Sequence, residues 1–137
     1  MPQANINLLA VLVAGIAPMV LGFIWYGPLF GKQWTKLMGF TQKSMEEAKK
    51  EMGKTYGLSF LGSLVMAYVL AHFVDYANAT TFLEGALTGF WAWAGFVATV
   101  MLTEVLYGGK SVNLYYINTG YQLASLVLMG ALLAVWV

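Results

Sequence analysis

The sequence predicts an all-α integral membrane protein, a bundle of four transmembrane helices. Of its 137 residues, 60% are hydrophobic and only 9% are charged, whereas soluble domains average about 25% charged residues. Most of the chain lies in four apolar runs, each near the roughly 20 residues that a helix needs to cross a bilayer. None of the runs alternates polar and apolar residues as the strand of a membrane barrel does. We therefore expect a single transmembrane domain over residues 1–137.

One long and two short connections separate the apolar runs. The predicted spans are residues 6–25, 56–74, 82–106 and 114–137, with a hydrophilic loop over residues 27–55. All seven basic residues are lysines; six lie in that loop and the seventh, Lys110, lies between the third and fourth spans. Because short loops rich in lysine stay in the cytoplasm, we expect both of these loops inside and both termini outside.

The long loop contains one segment that suits an amphipathic helix. Thr41 suits the N-cap, with Phe40 and Met45 in the positions of a hydrophobic staple, while Ser44 and Glu47 fit a capping box that would start the helix one turn later. Gly53 suits the helix end. A short helix with lysines on its polar face lies either on the anionic surface of the inner leaflet or in solvent as a connector.

Small residues recur at a spacing of four on all four spans, as they do where membrane helices touch. These stripes are Ala10, Ala14, Pro18 and Gly22; Thr55, Ser59, Ser63, Ala67 and Ala71; Gly95, Thr99 and Thr103; and Gly120 and Ala124. We expect them to mark helix contacts. The alternative is that they line a water-filled path.

A first candidate site comprises polar residues near the outer ends of the spans: Asn7, His72, Asp75 and Glu84. His72 and Asp75 are three residues apart on one helix face, and Glu84 follows across a short loop. One interpretation is a site for a divalent metal and the other is a hydrated rim. The spacing is not diagnostic, so we expect no bound metal.

A second candidate site lies in the inner half of the bundle and comprises Glu104, Asn118, Tyr121 and Gln122. Asn118 and Gln122 are one turn apart on the fourth span, with Tyr121 beside them. Ionisable groups within a membrane are costly and are functional candidates. Glu104 therefore either carries protons or a cation, or pairs with Lys110 at the interface.

The sequence offers no catalytic grouping. It has no cysteine and one histidine, and a nucleophile needs an adjacent base. Gly108-Gly109-Lys110 is too short for a phosphate-binding loop. We expect no enzymatic activity and no cofactor, and the net charge of +1 gives no reason to expect nucleic-acid binding.

The stretch of the chain with the most distinctive sequence is Trp-Tyr-Gly-Pro-Leu-Phe-Gly at residues 25–31. Together with Trp-Ala-Gly-Phe at 93–96 and Ile-Asn-Thr-Gly-Tyr at 117–121, it resembles the domain of unknown function (DUF) 1761 family along essentially the whole chain. The resemblance implies a small four-span protein of the bacterial cytoplasmic (inner) membrane. It implies no activity and no functional residue.

An aromatic collar begins in the stretch at residues 25–31 and ends three residues after it; we define it as Trp25, Tyr26, Phe30 and Trp34. Gly27-Pro28 is expected to end the first span at the headgroups, where amphipathic rings are favoured. We interpret the collar as an anchor, with a surface that contacts a lipid or ligand as the alternative.

The sequence therefore favours a non-catalytic structural, accessory or lipid-contacting membrane protein. Its expected partners are membrane lipids and either further copies of itself or a larger membrane complex. The alternative is a homo-oligomeric transporter or channel-like protein for a small solute or ion that uses Glu104 and Asn118. Four spans leave little room for a path inside one copy, so such a path would form between copies.

Overall fold

A computed structural model describes residues 6–39 and 42–136, and every regular element in these two ranges is a helix. The elements are α1 (Leu8–Ile24), a first π-helical segment (Trp25–Leu29), α2 (Gly31–Met38), α3 (Gln42–Lys50), α4 (Met52–Tyr76), α5 (Phe82–Trp93), a second π-helical segment (Ala94–Ala98), α6 (Thr99–Leu106) and α7 (Val112–Val135). The predicted all-α class is confirmed.

In the described ranges, four helices are long and apolar enough to cross a membrane. They run over Leu8–Leu29, Met52–Tyr76, Phe82–Leu106 and Val112–Val135, close to the predicted spans. The prediction of a four-helix membrane bundle is confirmed. Residues of α2 and of the start of α7 line one common groove, so the two lysine-bearing connections lie at the same end of the bundle, which we call the lysine end.

The two π-helical segments interrupt the first and third spans. In the first, Pro28 has no backbone N–H, so the regular α-helical bonding cannot continue through it. The N–H of Phe30 instead donates to the carbonyl of Trp25 at 2.9 Å, five residues back. The second segment begins directly after Trp93. Such wider turns change the direction in which neighbouring side chains point, and both segments lie beside aromatic residues that reach α7.

α7 is the central helix of the bundle. Half of the residues in its most apolar stretch are buried, compared with 11% in the third span. It contacts α1, α4 and α5. Met129 and Ala134 on α7 are fully buried, and they share one apolar core with Ala67 and Leu70 of α4. The other three spans turn large apolar side chains outward, as a surface that faces lipid requires.

α5 and α7 cross so closely that their backbones touch. A Cβ added to Gly85 would collide with the carbonyl oxygen of Gly130, and one added to Gly89 would collide with that of Leu126. Glycine at these positions lets the helix axes approach and gains backbone contact that no larger residue allows.

The small-residue stripe predicted on the third span is not the one that packs. Gly95, Thr99 and Thr103 are exposed, and both threonine hydroxyls donate to carbonyls of their own helix at 2.7 Å. The prediction of a helix contact at these residues is wrong. The stripe that contains Gly85 and Gly89 prevails because it has no side-chain atoms to hold the backbones apart.

The stripes on the first two spans pack together toward the end opposite the lysines. The buried members are Ala10, Ala14, Pro18, Ala67 and Ala71. A Cβ on Gly15 would lie 2.6 Å from the side chain of Leu64. At the lysine end, Thr55 and Ser59 are exposed, so the prediction of helix contacts there is wrong and a groove separates α1 from α4.

The long loop folds into two short helices rather than the predicted one. α2 was not predicted; it ends at Gly39, whose φ of 68° is a left-handed conformation that glycine adopts without strain. α3 corresponds to the predicted helix, but Gly53 lies inside α4, so the predicted end at Gly53 is wrong. The predicted cap and staple of Thr41, Phe40 and Met45 fall outside the residues and side chains that the structure describes.

Candidate functional site

Two aromatic side chains of the first π-helical segment bond directly to the central helix. The indole Nε1 of Trp25 donates to the carbonyl of Ile117 at 2.9 Å. The hydroxyl of Tyr26 donates to Oδ1 of Asn118 at 2.8 Å. Both rings are half-buried. A polar group in an apolar interior is costly unless it is bonded, so these two bonds fix the end of the first span against α7.

Tyr121 adds a third connection one turn further along α7. Its hydroxyl donates to the carbonyl of Pro18 at 2.6 Å, and its ring meets that of Tyr26 edge to face at 5.2 Å. A Cβ on Gly22 would lie 3.3 Å from the Tyr121 hydroxyl. The small residue at Gly22, predicted as part of a helix contact, is therefore what leaves room for this tyrosine.

The four rings of the predicted aromatic collar contact one another in two pairs. Trp25 and Phe30 have centroids 4.9 Å apart, and Tyr26 and Trp34 have centroids 5.1 Å apart. The second pair joins α2 to the end of the first span. Because Trp25 and Tyr26 also bond to α7, the collar is part of the packed bundle as well as a surface at the lysine end.

Glu104 lies apart from this bonded group, at the end of α6. Its side chain is exposed, and it shares a small cleft of about 10 Å³ with Lys110 and Asn118. Its backbone carbonyl accepts from the N–H groups of Gly108 and Lys110 and so closes the turn into α7. Gln122 is half-buried, and none of the bonds described above involves it. The structure thus joins Asn118 and Tyr121 closely, places Glu104 beside Asn118, and leaves Gln122 separate.

A second pair of bonds, which sequence reasoning missed, ties the third span to α7. Nε1 of Trp93 donates to the carbonyl of Thr119 at 2.9 Å. The hydroxyl of Tyr115 donates to the carbonyl of Ala98, in the second π-helical segment, at 2.8 Å. The sequence did contain an indication of the Trp93 bond. Trp93 lies in the middle of an apolar span, where its indole N–H needs a hydrogen-bond partner.

At the opposite end, three of the four predicted polar residues serve local structure. Asn7 caps α1 by accepting from the N–H groups of Leu9 and Ala10 at 3.0 and 3.3 Å. Glu84 forms a reciprocal capping box with Thr81 at the start of α5. Nδ1 of His72 lies 2.8 Å from the carbonyl of Tyr68 on its own helix, and its ring also lies between those of two tyrosines.

Only part of that outer group meets in space. Asn7 and Asp75 line one cavity of about 390 Å³ together with Asn78 and Thr80, and neither His72 nor Glu84 reaches it. Among the described residues, no three His, Asp or Glu side chains are placed to hold one metal ion. Asn7 and Glu84 thus cap helices, and His72 contacts residues of its own helix.

A comparison with protein families finds one match that covers nearly the whole chain. The family model described as "Protein of unknown function (DUF1761)" matches residues 9–134, in agreement with the resemblance noted in the sequence. No curated protein matches the chain. No solved structure matches it either.

Proposed function

This chain belongs to the DUF1761 family, whose description assigns no activity, and from that premise we propose a function from its own geometry. It is a non-catalytic, multi-pass protein of the bacterial cytoplasmic membrane. It acts by contacting lipid or by supporting a larger membrane complex, rather than by conducting a solute. Its lysine end faces the cytoplasm, because short loops rich in lysine are retained on that side.

The observation that carries this proposal is how the polar side chains within the spans are used. Trp25, Tyr26 and Tyr121 each donate to α7 or α1, and Trp93 donates to α7 from the third span. Bonds of this kind stabilise helix association in lipid. A conduction path needs polar groups that face an open channel, and these donors face neighbouring helices instead.

The cleft of Glu104, Asn118 and Lys110 supports the second candidate, a homo-oligomeric transporter or channel. It brings a carboxylate, an amide and an ammonium together at one end of the bundle. Its volume of about 10 Å³ holds about one water molecule, so a path through it requires a further copy to complete the wall. The first candidate needs no such assembly.

Native mass spectrometry of the protein gently extracted from its own membrane separates the two candidates. A stoichiometric foreign subunit, or a single chain with bound lipid, supports the non-conducting function. A defined homo-oligomer directs the test to flux in liposomes. Flux that Glu104→Gln abolishes and Glu47→Gln, on α3, leaves intact would overturn the first candidate in favour of the second.

A further inference from the structure

A groove opens sideways between α1 and α4 at the lysine end. It has a volume of about 490 Å³, and its walls include Phe23, Tyr26, Trp34 and Tyr56. The rings of Phe23 and Tyr56 meet edge to face at 5.8 Å across it. These two side chains are 62% and 42% exposed, so the groove faces the surroundings of the bundle rather than its core.

A positively charged surface adjoins this groove at Gly27. The second opening, of about 580 Å³, includes Lys32, Thr35 and Lys36 on one side of α2, and Gly27 lines both openings. Lys32 and Lys36 are one turn apart and exposed. Neither opening is lined by an aspartate or glutamate, so the local charge is positive.

Gly27 is the residue that lines both openings. No atom lies within 4 Å of the position that a Cβ would take there. A Cβ therefore meets open space at this position, and a side chain built on it would extend from the residue where the aromatic groove and the lysine-lined opening adjoin. The junction is therefore a place where a substitution tests occupancy without disturbing the packing of the bundle.

We propose that this site binds one anionic glycerophospholipid. The phosphate lies at Lys32 and Lys36, and one acyl chain lies in the groove between α1 and α4. The inference deepens the proposed lipid-contacting function and rests on it. It follows from complementarity: a bilayer offers a molecule with a negative headgroup and a long apolar chain at the depth where a cationic helix adjoins an apolar groove.

The first experiment compares two lipids that differ only in headgroup charge. The full-length protein in detergent micelles is titrated with phosphatidylglycerol and with phosphatidylcholine of the same acyl chains, and bound lipid is counted by native mass spectrometry. We expect a one-to-one complex that is about tenfold tighter with phosphatidylglycerol, since two lysines near a headgroup favour the anionic lipid. Equal retention of the two lipids would overturn the proposal.

Charge variants locate the headgroup. Lys32→Gln combined with Lys36→Gln is expected to reduce phosphatidylglycerol binding about tenfold, to the level of phosphatidylcholine. The matched control, Lys49→Gln with Lys50→Gln, removes the same charge from α3 and is expected to leave binding unchanged. An equal loss in both double variants would mean general attraction to positive charge and would overturn the site.

A filling variant locates the acyl chain. Gly27→Leu is expected to reduce the binding of both lipids at least about tenfold, because the new side chain occupies the junction. Gly62→Leu adds the same side chain to α4 at a position that also has no atom within 4 Å and is expected to change nothing. Circular dichroism confirms that each variant is folded. Undiminished binding by folded Gly27→Leu protein would refute the groove as the binding site.

These outcomes are independent of the test of the proposed function. Lipid binding is measured in micelles and does not depend on conduction. Loss of lipid selectivity removes the inferred site and leaves the non-conducting function standing. Flux that depends on Glu104 removes the proposed function and leaves the measured lipid affinity unchanged.

Discussion

The hydroxyl of Tyr26 donates a 2.8 Å hydrogen bond to Oδ1 of Asn118, a residue 92 positions later in the chain. This contact joins the end of the first span to the central helix α7. Hydrogen bonds between membrane helices contribute about 0.6 kcal/mol on average and up to about 1.7 kcal/mol. The Tyr26–Asn118 pair is half-buried, so we place it toward the upper part of that range.

We expect Tyr26→Phe to lower the free energy of unfolding by about 1 kcal/mol. Asn118→Leu should cost about as much, and the double variant should cost less than the sum of the two, because both changes remove the same bond. The free energies of unfolding are measured by titrating mixed micelles with SDS while circular dichroism monitors the loss of helix. Tyr116→Phe is the control, because Tyr116 lies on α7 with 66% of its surface exposed. An equal cost for Tyr26→Phe and Tyr116→Phe would contradict the assignment.

The close contact of α5 and α7 predicts that replacing glycine by alanine there lowers the free energy of unfolding, whereas the same replacement on the exposed face of α4 raises it. Gly89→Ala places a methyl group against the carbonyl of Leu126, and overpacking of this kind costs about 1–3 kcal/mol. Gly62→Ala meets open space within an exposed part of α4, where alanine's helix propensity favours the folded state by up to about 1 kcal/mol. The same SDS titration distinguishes a large loss from a small gain. Similar values for the two variants would argue against backbone contact at Gly89.

Sequence reasoning reached the number, class and approximate limits of the spans because hydrophobic length alone determines them. It could not choose between rival contact stripes on the third span. Gly85 and Gly89 have the same spacing as Gly95 and Thr99, and only the three-dimensional arrangement shows which face meets α7. The spacing of Gly85 and Gly89 was visible in the sequence and could have been considered as an interface.

The sequence predicted which residues belong to the candidate sites. It did not predict the hydrogen bonds that these residues form. Asn118 and Tyr121 were identified from their depth in the fourth span. Their partners are Tyr26 and Pro18. Tyr26 lies in the π-helical segment that contains Pro28, and a pattern based on regular helical spacing does not contain this wider turn. The position of Glu104 near the end of the third span followed from the sequence. Its exposure depends on how the helices pack, so the sequence alone could not predict it.

The end of α5 carries two tryptophans, Trp91 and Trp93, for which the structure predicts different effects on stability. Trp93 donates its indole N–H to the carbonyl of Thr119, whereas Trp91 is 69% exposed. We expect Trp93→Phe to lower the free energy of unfolding by about 1 kcal/mol or more, from the lost bond and the lost packing. Trp91→Phe should change it by less than about 0.5 kcal/mol. Equal effects on the free energy of unfolding would mean that the bond to Thr119 adds no stability.

The orientation of the bundle predicts which end of the protein reacts with an impermeant thiol reagent. The chain has no cysteine, so a single introduced cysteine reports only its own position. Ala77 is exposed in the turn after α4 and Glu46 is exposed on α3, at opposite ends of the second span. With the lysine end in the cytoplasm, Ala77→Cys should react with a membrane-impermeant maleimide in intact cells. Glu46→Cys should react only after the cells are permeabilised.

Neither substitution removes a lysine, so the charge asymmetry that is expected to set the topology is preserved in both variants. Permeabilised cells are the control, because both cysteines must react there if both are exposed as the structure places them. Reaction of Glu46→Cys alone in intact cells would reverse the orientation. Reaction of both in intact cells would indicate a mixture of two orientations, and the lysines would then not determine topology in this chain, despite an asymmetry in which all seven lie at one end.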